Sequence, residues 1–265
     1  MNMFLHELRE NRRSMMIWTI SLAAVTVLFF SMYPSIEKDG DQFIKVLQNY
    51  PEGVLKALGV QINSITSLLG FYSYFFLYIM LCGAIQAMNL GTGILSKEVS
   101  GKTAEFLLTK PVTRGRIITS KMVAVLVILL ITNLVFVVVS YIMANTVAAN
   151  DFDTSAFFLI SAANFFVQLM FAALGFFVSA LFPRIRSVLP VSLGTVFAFF
   201  IISMFGSAIS DEASRYITPF KYFDLPYIMK HTAYEPLFMG LGAAVIVIAV
   251  GAGSFLFMKK DIHAA

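Results

Sequence analysis

Six stretches of the chain carry no charged residue: 14–36, 57–96, 122–150, 154–183, 187–210 and 236–258. Each is at least 23 residues long. About 20 apolar residues suffice for a helix to cross the hydrocarbon core of a bilayer. A soluble helix keeps a polar face toward water and could not avoid Asp, Glu, Lys and Arg over six such windows. The pattern therefore predicts an all-α integral membrane protein, one transmembrane domain over residues 1–265. Its six spans are expected near 15–33, 68–90, 119–144, 156–182, 188–209 and 236–258. Backbone groups in lipid must bond within their own segment, which requires helices. A barrel would show short segments of alternating polarity, and none occur.

The connecting segments add detail. Residues 2–13 predict a short amphipathic helix, with Phe4, Leu5 and Leu8 on one face, suited to lie in the membrane interface before the first span. In 34–64, the run from Pro51 to Gly59 suits a short helix begun by Pro and ended by Gly. The connection 183–187 is so short that spans four and five are expected to form a tight antiparallel hairpin. Residues 210–235 alternate aromatic and charged positions, and are expected to dip into the interface. No internal repeat suggests an inverted-repeat carrier.

Charge sets the orientation. With the N-terminus inside, 13 of the 19 Lys and Arg residues fall in cytoplasmic segments, and 10 of the 15 acidic residues fall outside. The positive-inside bias then places both termini in the cytoplasm. The net charge of +4 follows from these loops and does not point to nucleic acid. Five charges within residues 1–13 and no clear cleavage site argue that the first span is retained. The single Cys82 excludes an internal disulfide.

Little catalytic chemistry is visible. Within the charge-free stretches the spans hold no Asp, Glu, Lys, Arg or His, which counts against ion-coupled carriers, proton relays and intramembrane metalloproteases. No His cluster or other metal site is expected. The polar span residues are Gln86, Asn89, Asn133, Asn164 and Gln168, beside hydroxyls. Gln86 and Asn89 share a helix face, as do Asn164 and Gln168. They either hydrogen-bond helix to helix or line a translocation path. Gly101-Lys102-Thr103 lacks the first Gly of a phosphate-binding loop, since Ser96 occupies that position.

The segment 97–121 is the most informative. Gly101 permits a sharp turn, and Thr103–Thr109 can form a short helix that Pro111 stops. Thr113 can cap a helix running through Ile117 and Lys121 into span three. The short helix would lie across the cytoplasmic face and expose Phe106, Leu107 and Leu108 to a partner.

In order, Glu98, Gly101, Thr103, Glu105, Leu107-Leu108, Pro111-Val112 and Arg114, then Lys121, resemble the pattern of the ABC-2 type permeases, membrane subunits of ABC transporters. Looser likenesses lie at Tyr50–Gly59, Gly70-Phe71-Tyr72 and Thr218–Phe223. The resemblance implies that residues 101–110 form the helix coupling to an ATPase, with Glu98, Gly101, Thr103, Glu105, Phe106, Leu107, Leu108, Pro111 and Arg114 at that contact. It makes residues 2–13 an elbow helix and 210–235 short outer helices. It implies no catalysis by this chain and no cofactor of its own, ATP being bound by cytoplasmic ABC ATPase subunits. It also implies pairing with a second six-span permease as a homodimer or heterodimer, surrounded by lipid in a bacterial or archaeal plasma membrane. The function implied is export of a hydrophobic or amphiphilic compound or peptide. The alternative is a non-transporting scaffold or sensor that recruits a cytoplasmic partner through residues 91–121.

Overall fold

A computed structural model describes residues 3–100, 114–182, 185 and 187–259, with the backbone alone at 97–100 and 114. The described residues form α1 (Met3–Lys38), α2 (Gly40–Leu47), α3 (Glu52–Ala57), α4 (Leu68–Ser100), α5 (Arg114–Val147), α6 (Thr154–Leu181), α7 (Val188–Ala208), α8 (Ser214–Ile217), a 3-10 turn (Pro219–Lys221), α9 (Leu225–His231) and α10 (Pro236–Lys259). Six of them, α1, α4, α5, α6, α7 and α10, are long and apolar enough to cross a membrane. The protein is a multi-pass, all-helical membrane protein. The side at which α1 begins and α4 ends is the near side below, and the opposite one is the far side.

Helices α4 and α6 form the centre. Their most apolar windows are 67% and 61% buried within the chain, against 17% to 39% for the other spans. They run parallel, since Tyr72 meets Ser161 near one end while Gln86 meets Gln168 further along. Small residues bring them together. A Cβ on Gly91 would fall 2.2 Å from the Ala172 carbonyl oxygen, and one on Gly175 would fall 2.7 Å from that of Met88. Gly83, Ala87 and Gly91 recur every four residues, a spacing that lets helix backbones approach in a bilayer. Toward the far side, Tyr72 stacks on Phe157 at 4.6 Å and Phe29 on Phe75 at 5.1 Å, tying α1 and α6 to α4. Such aromatic pairs contribute about 0.5–1.5 kcal/mol each beyond their buried area.

The remaining spans flank this pair. Helix α5 runs parallel to α1, in a register set by Glu7 with Lys121 and Thr19 with Thr132. Helix α10 lies on α6, where Gly242 faces Met170 and Gly253 faces Phe176. Helix α7 packs on α4 and α3.

Two expectations gain detail, and one, the hairpin of spans four and five, needs revision. Residues 3–13 and the first span form one uninterrupted helix. No Gly or Pro lies between Met3 and Tyr33, and the helix even carries Pro34 within it. Spans four and five do not make a closely packed hairpin among the described residues. Helix α6 packs its small residues on α4 and its Met170 and Phe176 on the glycines of α10, and α7 reaches it through ring contacts such as Phe171 with Phe199, 5.9 Å apart. The aromatic residues of 210–235 pack largely inward: Phe220, Tyr222, Phe223 and Ile228 are buried in the chain's own core, leaving Tyr216 and Ile217 exposed.

Other local features follow the sequence. Pro51 precedes α3, and Gly59, with φ +76°, turns the chain after it. Asp153 caps α6, accepting from the backbone N–H of Ser155 at 2.9 Å and of Ala156 at 3.1 Å. The Thr232 hydroxyl donates to the same carboxylate at 3.2 Å. The Tyr234 hydroxyl donates to the Leu159 carbonyl at 2.7 Å, and burial pushes its pKa up to about 12.

Candidate functional site

The expected partner contact lies between α4 and α5. Gly101, Thr103, Glu105, Phe106, Leu107, Leu108 and Pro111 fall outside the described residues. Glu98 stands in the last turn of α4 and Arg114 opens α5, both known by backbone alone. The anchoring of the returning strand of sequence is visible. Lys121, two turns into α5, is only 3% exposed, and its Nζ lies 2.5 Å from Oε1 of Glu7 on α1. Ile117 and Ile118 are buried beside it in sequence. On α1 the Asn11 amide donates to the Glu7 carbonyl at 2.9 Å. A buried ion pair is costly to break, because removing one partner strands a charge out of water. The first turns of α1 are therefore fastened to the start of α5, next to the end of the 101–113 segment. The sequence placed Lys121 in the helix leading into span three, as the last basic residue before the charge-free stretch. Its place one turn after Ile117 was the available sign that it faces inward.

The second cluster lies inside the bundle. The Gln86 amide donates to the Thr132 hydroxyl at 3.1 Å, and that hydroxyl meets Thr19 at 3.2 Å. The Gln168 amide donates to the Gln86 side-chain carbonyl at 3.5 Å. The Asn133 amide donates to the Gln168 side-chain carbonyl, and also to the Leu129 backbone at 2.8 Å. Asn164 in turn donates to Asn133 Oδ1 at 3.0 Å. One connected chain of neutral groups thus joins α1, α4, α5 and α6. Gln86, Asn133, Asn164 and Gln168 are all buried, while Asn89 is half-buried and takes no bond from the cluster. Gly83 makes the room: a Cβ there would sit 2.6 Å from Asn164 Oδ1 and 2.8 Å from Gln168 Nε2. Asn164 Oδ1 itself is buried without a hydrogen-bond partner.

The structure therefore unites four of the five polar span residues named from sequence and adds Thr19 and Thr132. A threonine hydroxyl usually bonds its own helix, so sequence offered no sign of these two. The four-residue spacing of Gly83, Ala87 and Gly91 was the legible cue to where α4 and α6 meet. The cluster holds no ionisable side chain, so its chemistry is hydrogen bonding that fixes the register of four helices. Among the described residues, no group of three or more His, Cys, Asp or Glu side chains could hold a metal.

Six crossing helices, four of them around a welded central pair, define a polytopic membrane protein. A family model described as ABC-2 family transporter protein matches residues 1–262, and the chain belongs to that family. No curated protein matches it. Members of this family are transport membrane subunits, not themselves catalytic, and normally work with a cytoplasmic ABC ATPase.

Proposed function

We propose that the chain is the permease subunit of an ATP-driven exporter of a hydrophobic or amphiphilic compound or peptide. A separate ATPase binds the nucleotide and docks beneath residues 97–121. Two six-span subunits pair, the second being either another copy or a related permease. Both termini and the near side face the cytoplasm. The observation that carries this reading is the layout at the near side within a member of the ABC-2 family. The central helix α4 runs without a break to Ser100, α5 resumes at Arg114, and Glu7 fastens α1 to Lys121 just beyond. A push on the intervening segment would reach the buried centre along α4 directly.

The experiment is copurification of the chain from its native membrane with a P-loop ATPase, followed by a screen for compounds that stimulate hydrolysis. Leu107→Asp would place a charge in the proposed docking surface. An uncompensated buried charge is destabilising by about 3–5 kcal/mol, which is roughly a hundredfold or more in affinity. Normal membrane levels with lost copurification and lost stimulation are expected. Unchanged copurification and turnover would remove the coupling role. Copurification with no stimulated hydrolysis by any compound, and no transport, would favour a recruiting scaffold.

A further inference from the structure

A half-open cavity of about 430 Å³ lies on the far side, walled by α3, the first turns of α4, the last turns of α7 and the segment leading to α10. Its charges balance: Lys56, Arg215 and Lys221 stand with Asp211, Glu212 and Asp224. Another part of its wall is apolar, formed by Leu77, Met80, Met204 and Phe220.

Most of these ions are already engaged. Arg215 pairs with Glu235 at 2.8 Å and lies 4.1 Å from the centre of the Phe238 ring. Lys56 pairs with Glu52 at 3.3 Å. Asp211 and Asp224 each use one oxygen on a backbone N–H, of Ala213 at 3.0 Å and Tyr227 at 2.9 Å, so each keeps a second oxygen. Lys221 differs. Its Nζ donates to the Ser214 hydroxyl at 2.8 Å, and among the described residues no carboxylate forms an ion pair with it. Burial lowers its pKa, against the pull of Asp211 and Asp224, with Arg215 adding to the lowering. Gly206 makes this arrangement possible. A Cβ there would lie 2.0 Å from Ser214 Oγ and 2.9 Å from Lys221 Nζ.

We infer that this cavity binds an amphiphile with a zwitterionic head, its acidic group on Lys221, its ammonium on Asp224, and the first carbons of its chain along Met80 and Met204. A half-buried ammonium with no carboxylate at ion-pair distance gains from an anion brought to it. A head of one sign would meet like charges in the same ring, whereas a head with both signs pairs with both. The volume suits a head group and a short length of chain. The site belongs to the single chain and does not depend on the transport proposal. A bilayer phospholipid and a soluble amphiphile share this chemistry.

The test uses the purified full chain in maltoside micelles, titrated calorimetrically with decylphosphocholine, decyl phosphate and decyltrimethylammonium, with empty micelles as the blank. Decylphosphocholine should bind about tenfold more tightly than either single-sign head, the worth of one charged hydrogen bond. Lys221→Gln should weaken it about tenfold at an unchanged melting temperature. Asp224→Asn, which still caps α9, should bring decylphosphocholine to the level of decyl phosphate. Lys230→Gln, exposed on α9, should change nothing. Repeating the titration in phosphatidylcholine nanodiscs separates the sources. Retained binding assigns a soluble amphiphile, and binding lost there but kept in micelles assigns the bilayer phospholipid. Equal affinity for all three heads, or no effect of Lys221→Gln, would overturn the inference. If Lys221→Gln does not fold, unchanged binding in Asp224→Asn overturns it instead.

Discussion

Lys121 and Glu7 form an ion pair 2.5 Å long, 114 residues apart in sequence, with side chains only 4% and 14% exposed. It joins the first turns of α1 to those of α5. Breaking a buried pair costs about 3–5 kcal/mol when the remaining charge is left alone. Lys121 keeps further contacts, so Glu7→Ala is expected to cost less, about 1–3 kcal/mol. Glu7→Gln, which can still accept from the ammonium, should cost less again. Thermal unfolding in detergent, followed by the fluorescence of Trp18 on α1, reads both. Wild-type melting in Glu7→Ala would show that the pair contributes nothing.

The glycines of the spans should divide by what stands opposite them. Gly91→Ala presses a methyl onto the Ala172 backbone, which cannot rotate away. It should cost about 3 kcal/mol, the upper end for overpacking. Gly83→Ala meets the side chains of Asn164 and Gln168, which can shift, and should cost about 1–2 kcal/mol. Gly251 has nothing within 4 Å of its would-be Cβ. Gly251→Ala should be neutral or stabilise by up to about 1 kcal/mol, as Ala replaces Gly within a helix. Melting temperatures in the order Gly251→Ala, Gly83→Ala, Gly91→Ala, highest first, are the expected result.

Removing one member of the amide chain should be felt by the others. Hydrogen bonds between membrane helices contribute about 0.6 kcal/mol on average and at most about 1.7. Asn133 bonds to both Gln168 and Asn164, so Asn133→Leu should cost about 1–2 kcal/mol. Thr19→Val, at the end of the chain, should cost about 0.5 kcal/mol. Adding Gln168→Leu to Asn133→Leu should cost less than the two single changes together, because their shared bond is lost only once. Full additivity in that double-mutant cycle would show that the two amides act independently.

Orientation can be read from outside. Single cysteines are introduced as Asp41→Cys, Glu212→Cys and Lys102→Cys in a Cys82→Ala background. Asp41 and Glu212 are exposed on the far side. Ser214, by contrast, is buried against Lys221 and would make a poor probe. On intact cells an impermeant thiol reagent should modify positions 41 and 212 and spare 102, in line with the basic residues gathering on the near side. Modification of position 102 alone would reverse the orientation.

The spans were legible because excluding charge is a property of the segment itself, whatever its neighbours. So was α3, since Pro51 and Gly59 act on their own backbone. Neighbour choice was not legible. A leucine facing lipid and a leucine facing another helix read alike, so nothing told that α7 would settle on α4 and α3. Neither did anything mark Thr19 and Thr132 as partners across 113 residues. The continuity of α1 was hidden because a run of charges, Arg9 to Arg13, resembles a boundary although no residue there breaks a helix. Of the expected coupling contact, Glu98 and Arg114 were met as helix ends, while the residues between them rest on the sequence.

Helix lengths carry a geometric consequence. At 1.5 Å per residue, α4 and α5, of 33 and 34 residues, are each about 50 Å long, whereas a bilayer's hydrocarbon core is about 30 Å thick. Their charged residues, Lys97 and Glu98 on one and Arg114, Arg116 and Lys121 on the other, all lie at the near ends. The near ends of α4 and α5 thus reach beyond the hydrocarbon core. Whatever binds at their tips works outside the hydrocarbon core, and a small tilt there is carried into the membrane as by the handle of a lever.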